Sequence, residues 1–108
     1  MPALKFQAGA SFPQLLVSTL EGEKVALGNP NAPSDWKLVL VYRGQHCPLC
    51  TRYLNDLEPL VTEYRELGID VIAVSADSEE QLREHKEKLC ISFPLAYGLT
   101  VEQMQTLG

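Results

Sequence analysis

Apolar residues change their spacing several times along this chain of 108 residues, and each change marks an element. The run Leu38-Val39-Leu40-Val41-Tyr42 is continuous rather than alternating, which predicts a strand covered on both faces, a central parallel strand rather than an edge. From Pro48 to Leu67 the period becomes helical. Leu54, Leu57, Leu60, Val61, Tyr64 and Leu67 fall three and four apart and leave Arg52, Asn55, Glu63 and Arg65 on a wet face. Pro59 should kink this helix, because it lacks a backbone donor and crowds the preceding turn. Gly68 stands where a left-handed C-cap residue belongs. Asp70-Val71-Ile72-Ala73-Val74-Ser75 is a second buried run, so strand, helix and strand make a βαβ unit.

The flanks are read the same way. Phe12 to Leu20 and Lys24 to Leu27 are short extended pieces around a Glu21-Gly22 turn, and Gly28 to Asp35, with its glycine and two prolines, is a loop. Asp77 with Glu80 is a capping pair opening a second helix through about Leu89. Its apolar stripe is thin, chiefly Leu82, Leu89 and Cys90, which predicts a surface helix. Ile91 to Tyr97 is extended through Pro94, and Thr100 with Gln103 has capping-box spacing before a last short helix that stops at Leu107-Gly108. No repeat or low-complexity segment interrupts the pattern.

Composition narrows the class. An apolar fraction of 45% suits one soluble domain, residues 1–108, with a modest core. Nine Lys plus Arg against fourteen Asp plus Glu give a net charge of −5 with no charged run, which argues against a nucleic-acid partner. The start has no basic region followed by a long apolar stretch, and nowhere do about 18 apolar residues run together, so no membrane partner is expected and the protein reads as cytoplasmic. There are three cysteines, and a close pair in a reducing compartment points to catalysis or metal rather than to a structural scaffold.

That pair, Cys47 and Cys50, straddles Pro48 where the first apolar strand gives way to the long helix. The end of a strand at the start of a helix is the usual functional edge of an open α/β sheet. Unpaired N–H groups and the positive end of the helix dipole there favour a thiolate over a thiol. Pro48 fits the first helical position, where its missing donor costs nothing. His46, when protonated, and Arg43 could lower the thiol pKa further. Cys47, nearer the mouth, is expected to be the more exposed and more ionised sulfur, with Cys50 one turn inside to resolve a mixed disulfide. A rival reading of another class is a metal-binding module in which His46, Cys47 and Cys50, with His85 as a candidate fourth ligand, hold zinc or copper. No second closely spaced Cys or His pair supports it.

The segments Val41 to Leu54, Asp70 to Ser78 and Phe93-Pro94-Leu95 together resemble the alkyl hydroperoxide reductase and thiol-specific antioxidant family, in its peroxiredoxin-like branch. The Phe12-Pro13 opening and the Leu20-Glu21-Gly22 turn match it too, so the resemblance spans nearly the whole chain. It implies a thioredoxin fold and oxidoreductase or antioxidant activity on peroxides or protein disulfides. No cofactor is implied, only a recycling thiol reductant such as a thioredoxin or glutathione system. If Cys50 takes the family's peroxide-attacking position, Arg43 stands where a proline belongs, seven residues earlier, and Cys47 where a threonine belongs, three earlier. Two mechanisms therefore stand open. Either Cys50 attacks peroxide and Cys47 condenses with the sulfenic acid, or Cys47 exchanges with a disulfide, which the broken pattern favours.

The remaining expectations are plain. Cys90 reads as a small core residue, His85 as a solvated helix residue, Arg43 as either a thiolate partner or a structural ion-pair residue, and Tyr42 and Trp36 as packing residues. The fold class is α/β, a thioredoxin-like βαβ core with an N-terminal β extension, lacking the C-terminal β-hairpin and helix that would cover residues 38 to 42. Either the chain is the N-terminal portion of a longer protein or a second copy, as a homodimer, completes the sheet. Pairing of residues 38 to 42 on both sides within one chain would contradict this.

Overall fold

The computed structural model describes residues 9, 11–30, 34–45, 47–89 and 91–107, so His46 and Cys90 lie outside the described residues. Five strands form one mixed sheet: β1 (Leu16–Thr19), β2 (Lys24–Ala26), β3 (Trp36–Val41), β4 (Ile69–Val74) and β5 (Leu95–Tyr97). Three helices join them: α1 (Pro48–Glu66), α2 (Glu79–Lys86) and α3 (Val101–Leu107). The strand order is β2-β1-β5-β4-β3. β3, β4 and β5 run parallel, and the β1–β2 hairpin joins antiparallel to β5.

The continuous apolar runs have their expected cause. Along β4, Val71 and Ala73 face a core shared with Leu54, Leu57 and Val61 of α1 and Leu82 of α2, while Ile72 and Val74 face Val17, Leu27, Ala96 and Leu99 on the other side. Met104 and Leu107 of α3 pack on that second layer. In β3, Leu38 and Leu40 join the first layer and Val39 the second. Lys37 and Asp70, partners across the β3–β4 ladder, form an ion pair at 2.9 Å with little exposure.

Two expectations about strands change. β3 pairs only with β4 among the described residues, so it lies at the edge of this sheet; this departs from the central place its unbroken apolar run suggests and agrees with the expectation that residues 38 to 42 are not paired on both sides. Trp36, expected to pack, is 72% exposed at the start of that edge strand.

Local signals set the helix ends. α1 runs unbroken across Pro59 and stops at Gly68, whose φ of +79° is the left-handed conformation that glycine adopts without a side-chain penalty. The Gly68 N–H donates to the Arg65 carbonyl at 3.0 Å. Leu60 and Leu67, counted on the apolar face, are exposed, because the helix seats only Leu54, Leu57 and Val61 fully on the sheet. α2 opens one residue later than the expected capping pair. Ser78 is the N-cap: its hydroxyl accepts from the Gln81 N–H, and the Gln81 side chain accepts from the Ser78 N–H. The helix ends at Lys86 rather than Leu89. The Thr100–Gln103 capping box stands as its spacing predicted.

Candidate active site

Cys47 and Cys50 meet at the N-terminus of α1, directly after the loop that leaves β3. Cys47 is the N-cap residue in extended conformation, and Pro48 begins the helix. The Cys47 N–H donates to the Gly44 carbonyl at 3.2 Å, and the Cys47 carbonyl accepts from the Thr51 N–H at 3.2 Å, closing the first turn. Both cysteines are free thiols.

The two thiols are displaced in opposite directions. Cys47 is lowered, first because the Cys50 S–H donates to its sulfur, then by the Cys50 backbone N–H, with smaller help from the Arg43 charge and the Leu49 N–H against the cost of burial. Cys50 is raised, first by burial and then because its proton is committed to Cys47. The N–H groups of Leu49 and Cys50 are the orphan donors that any helix start presents, here turned to a sulfur. The expectation that Cys47 is the more ionised sulfur agrees with this. The expectation that it is the more exposed does not: Cys47 is only 8% exposed and Cys50 is partly open. Helix-mouth position sets the electrostatics, whereas cover depends on what packs over the mouth.

Cys50 lines an open cavity of about 390 Å³ with Val41, Tyr42, Arg43, Leu49 and Tyr53 among its walls. Arg43 is the cation of that wall, and its charge favours ionisation of both sulfurs. Tyr42 packs against the core as expected, and burial pushes its phenol up to about 12, so it stays protonated and uncharged.

Asp77, expected from spacing to cap α2, instead holds the loop before the dithiol. It is 5% exposed at the end of β4, and its Oδ2 accepts the Gln45 N–H at 2.9 Å. Its own carbonyl accepts the Gly98 N–H at 2.9 Å. The loop entering the cysteine pair is thus tied to the neighbouring strand end. Gly44 completes the fit, since its φ is +128° and a Cβ there would run into the Asp77 carboxylate. Gly44→Ala is therefore expected to cost about 1–3 kcal/mol from backbone strain alone, and to weaken the Gln45–Asp77 bond, as a chemical-denaturation midpoint would register.

His85 is the largest departure from sequence expectation. It is 0% exposed rather than solvated, its Nε2 lies 2.7 Å from the Thr51 hydroxyl oxygen, and its ring is tilted against Tyr42. Of the metal set drawn from sequence, His85 is engaged at Nε2 by Thr51 and His46 lies outside the described residues; among the described residues no group of three or more His, Cys, Asp or Glu side chains could hold a metal ion. A helical histidine between charged neighbours carries no signal of burial. Only its position three residues after Leu82, on the same helix face, points inward.

Burial lowers the His85 pKa from its ordinary 6.5, with Asp77 opposing and Lys88 adding to the shift. As pH falls below 6.5 the unfolded chain takes a proton that the folded ring refuses, so stability is lost until the folded pKa is reached and then levels off. His85→Gln is expected to flatten this part of the stability–pH curve, measured by denaturation at closely spaced pH values. Equal slopes in both proteins would contradict it.

The sequence model of the AhpC/TSA family matches residues 8–108. Among curated proteins, the thiol-disulfide oxidoreductase ResA of Halalkalibacterium halodurans is 31% identical over 98 residues, covering 88% of this chain and 54% of that protein. The chain thus spans about half the length of that relative. Among solved structures, a peroxiredoxin-like protein from Aquifex aeolicus superposes with a TM-score of 0.79 at 17% identity, covering 97% of this chain and 60% of that one. Peroxiredoxin Q of Xanthomonas campestris gives a TM-score of 0.62 at 25% identity, covering 76% of this chain and 51% of that one. The fold is thioredoxin-like, and the chain belongs to the AhpC/TSA family.

Proposed function

We propose that this protein is a thiol–disulfide oxidoreductase in which Cys47 attacks and Cys50 resolves. The observation that carries the reading is the place of Cys47 at the N-cap of α1, sharing the first turn with Cys50, where the surroundings lower the Cys47 thiol pKa and raise that of Cys50. The likeness to a named thiol-disulfide oxidoreductase supports the same class of chemistry.

The Cys47 thiolate attacks one sulfur of a substrate disulfide, forms a mixed disulfide and expels the other sulfur as a thiolate. That step removes the charge on Cys47 and the acceptor of the Cys50 proton, two of the causes that hold Cys50 up. Cys50 can then ionise, attack the Cys47 sulfur, release the substrate's second thiolate and leave a Cys47–Cys50 disulfide. Two electrons have passed to the substrate, and an external thiol reductant returns them. Pro48 and Arg43 support the step, the first by starting the helix at the pair and the second by its charge. His46, proposed from sequence to assist, lies outside the described residues.

The test is reduction of a model protein disulfide such as insulin by the reduced protein, with the Cys50→Ser variant used to trap the mixed disulfide. A substrate adduct on Cys47 is expected. Absence of exchange by the wild type sinks the reading.

A second reading rests on one observation: Cys50 is the more exposed residue of the pair and borders the cavity beside Arg43. Peroxide could reach it there, forming a sulfenic acid that Cys47 converts to a disulfide. Hydrogen peroxide added to reduced Cys47→Ser and Cys50→Ser separates the two. Sulfenic acid forming on Cys50 faster than on free cysteine favours the peroxidase; its failure to form leaves exchange.

A further inference from the structure

Thr51 and His85 form a contact that the exchange chemistry above does not use. Thr51 directly follows Cys50, and its hydroxyl oxygen lies 2.7 Å from His85 Nε2 across the α1–α2 contact. The same hydroxyl stands 3.4 Å from the Cys47 carbonyl oxygen. His85 is wholly buried, and its Nδ1 has no hydrogen-bond partner among the described residues.

A hydroxyl has one proton, and this decides the direction of the contact. With the neutral ring protonated on Nδ1, Thr51 must donate to Nε2. The bond to Cys47 is then given up, and an N–H is buried with no acceptor. With the ring protonated on Nε2, His85 donates to Thr51 and Thr51 donates to the Cys47 carbonyl. Two bonds form in place of one, and only a lone pair stays unmatched. A doubly protonated ring would bury both a charge and an unmatched donor.

We propose that His85 is a positioning residue for the dithiol, acting through Thr51 by a chain of donors from Nε2–H to the Thr51 hydroxyl to the Cys47 carbonyl. The chain pins the N-cap residue of α1, and with it the Cys47 sulfur, against the Cys50 thiol and the N–H groups that stabilise its charge. The assignment deepens the exchange reading and rests on Cys47 as the attacking sulfur.

The charged and titratable groups facing the ring are consistent with a neutral imidazole. Tyr42, beyond the end of β3, stays protonated. Asp77, beyond β4, favours a charged ring, while Lys88, beyond α2, disfavours it, and burial outweighs both. From α1 the dithiol reaches it through Thr51. Coupling is reciprocal, so oxidation of the pair is expected to move the His85 titration as well.

The test joins one measurement on the wild type to two variants. Nitrogen-15 NMR of the reduced protein should show His85 as the Nε2–H tautomer. Thr51→Val should raise the Cys47 thiol pKa and slow its alkylation by iodoacetamide near neutral pH about three- to tenfold, the scale of one net hydrogen bond, and Thr51→Ser should restore it. The Nδ1–H tautomer overturns the proposal whether or not the valine variant folds. A folded Thr51→Val protein whose Cys47 titrates like the wild type also overturns it, and leaves the exchange reading intact. If Cys47 of the wild type itself titrates like free cysteine and no exchange occurs, both fall together.

Discussion

Cys47→Ser is expected to reduce disulfide exchange by a factor on the order of 10³ or more, the scale on which loss of an enzyme's nucleophile is felt. A serine hydroxyl at the same N-cap would keep the backbone N–H contacts, but at neutral pH it carries no charge for them to stabilise. Folding should hold, because serine is itself a preferred N-cap residue and its oxygen can accept from the same helix-start N–H groups. Cys50→Ser is expected to behave differently. It leaves a sulfur to attack, removes the S–H that lowers the Cys47 pKa most, and stops the reaction at the mixed disulfide. Rapid mixing with a chromogenic aromatic disulfide separates the two: no thiolate release from the first variant, and a stoichiometric burst without turnover from the second, slower than wild type near neutral pH. A burst from Cys47→Ser equal to that of Cys50→Ser would reverse the assignment of attacking and resolving sulfurs.

Leu54→Ala is the substitution expected to cost most in stability, about 3 kcal/mol, within the range of roughly 2–5 kcal/mol for emptying a buried leucine site. Leu54 is 1% exposed, one turn beyond Cys50 on α1, and lies in the core layer with Val71, Ala73 and Leu82. Neighbours fixed in strands on one side and by α2 on the other have little room to collapse into the space, so the cavity should persist. In a domain whose whole stability is about 5–15 kcal/mol, thermal unfolding should shift down by roughly 10 °C or more. Because this residue seats the first turns of α1, Cys47 alkylation should also lose part of its pH dependence. A thermal shift of only a degree or two would mean that α1 is held chiefly by its other contacts.

The elements that sequence made legible are those specified by neighbours along the chain. Spacing in α1 placed Leu54, Leu57 and Val61 on its seated face, along with Leu60 and Leu67, which are exposed, and unbroken apolar runs identified β3 and β4 as strands with apolar cover on both faces. Gly68 and the Thr100–Gln103 box were readable because caps are local hydrogen bonds between residues a few positions apart. Ser78 was missed because Asp77 offered an equally plausible cap one residue earlier. Asp77 is drawn away from that role by the Gln45 N–H, 32 residues distant, which no local spacing encodes. His85 was missed for the same reason: its partner Thr51 is 34 residues away, and both sit among polar neighbours.

By itself, then, the sequence determined that two thiols share the first turn of a helix fed by an apolar strand. The residue order of Cys47, Pro48 and Cys50 compels that geometry once the strand and helix form. The direction of the Cys47 shift came with it, because the Cys50 thiol one turn on and the helix-start N–H groups both lie at the N-cap. Tertiary structure alone decided that Cys47 is covered and Cys50 partly open, that Asp77 holds the Gln45 N–H in the loop before the dithiol, and that His85 of α2 meets Thr51 beside Cys50. Those outcomes depend on which distant surfaces meet. A pattern of spacings shows which face of an element is apolar, but not which side chain from another element will stand across from it.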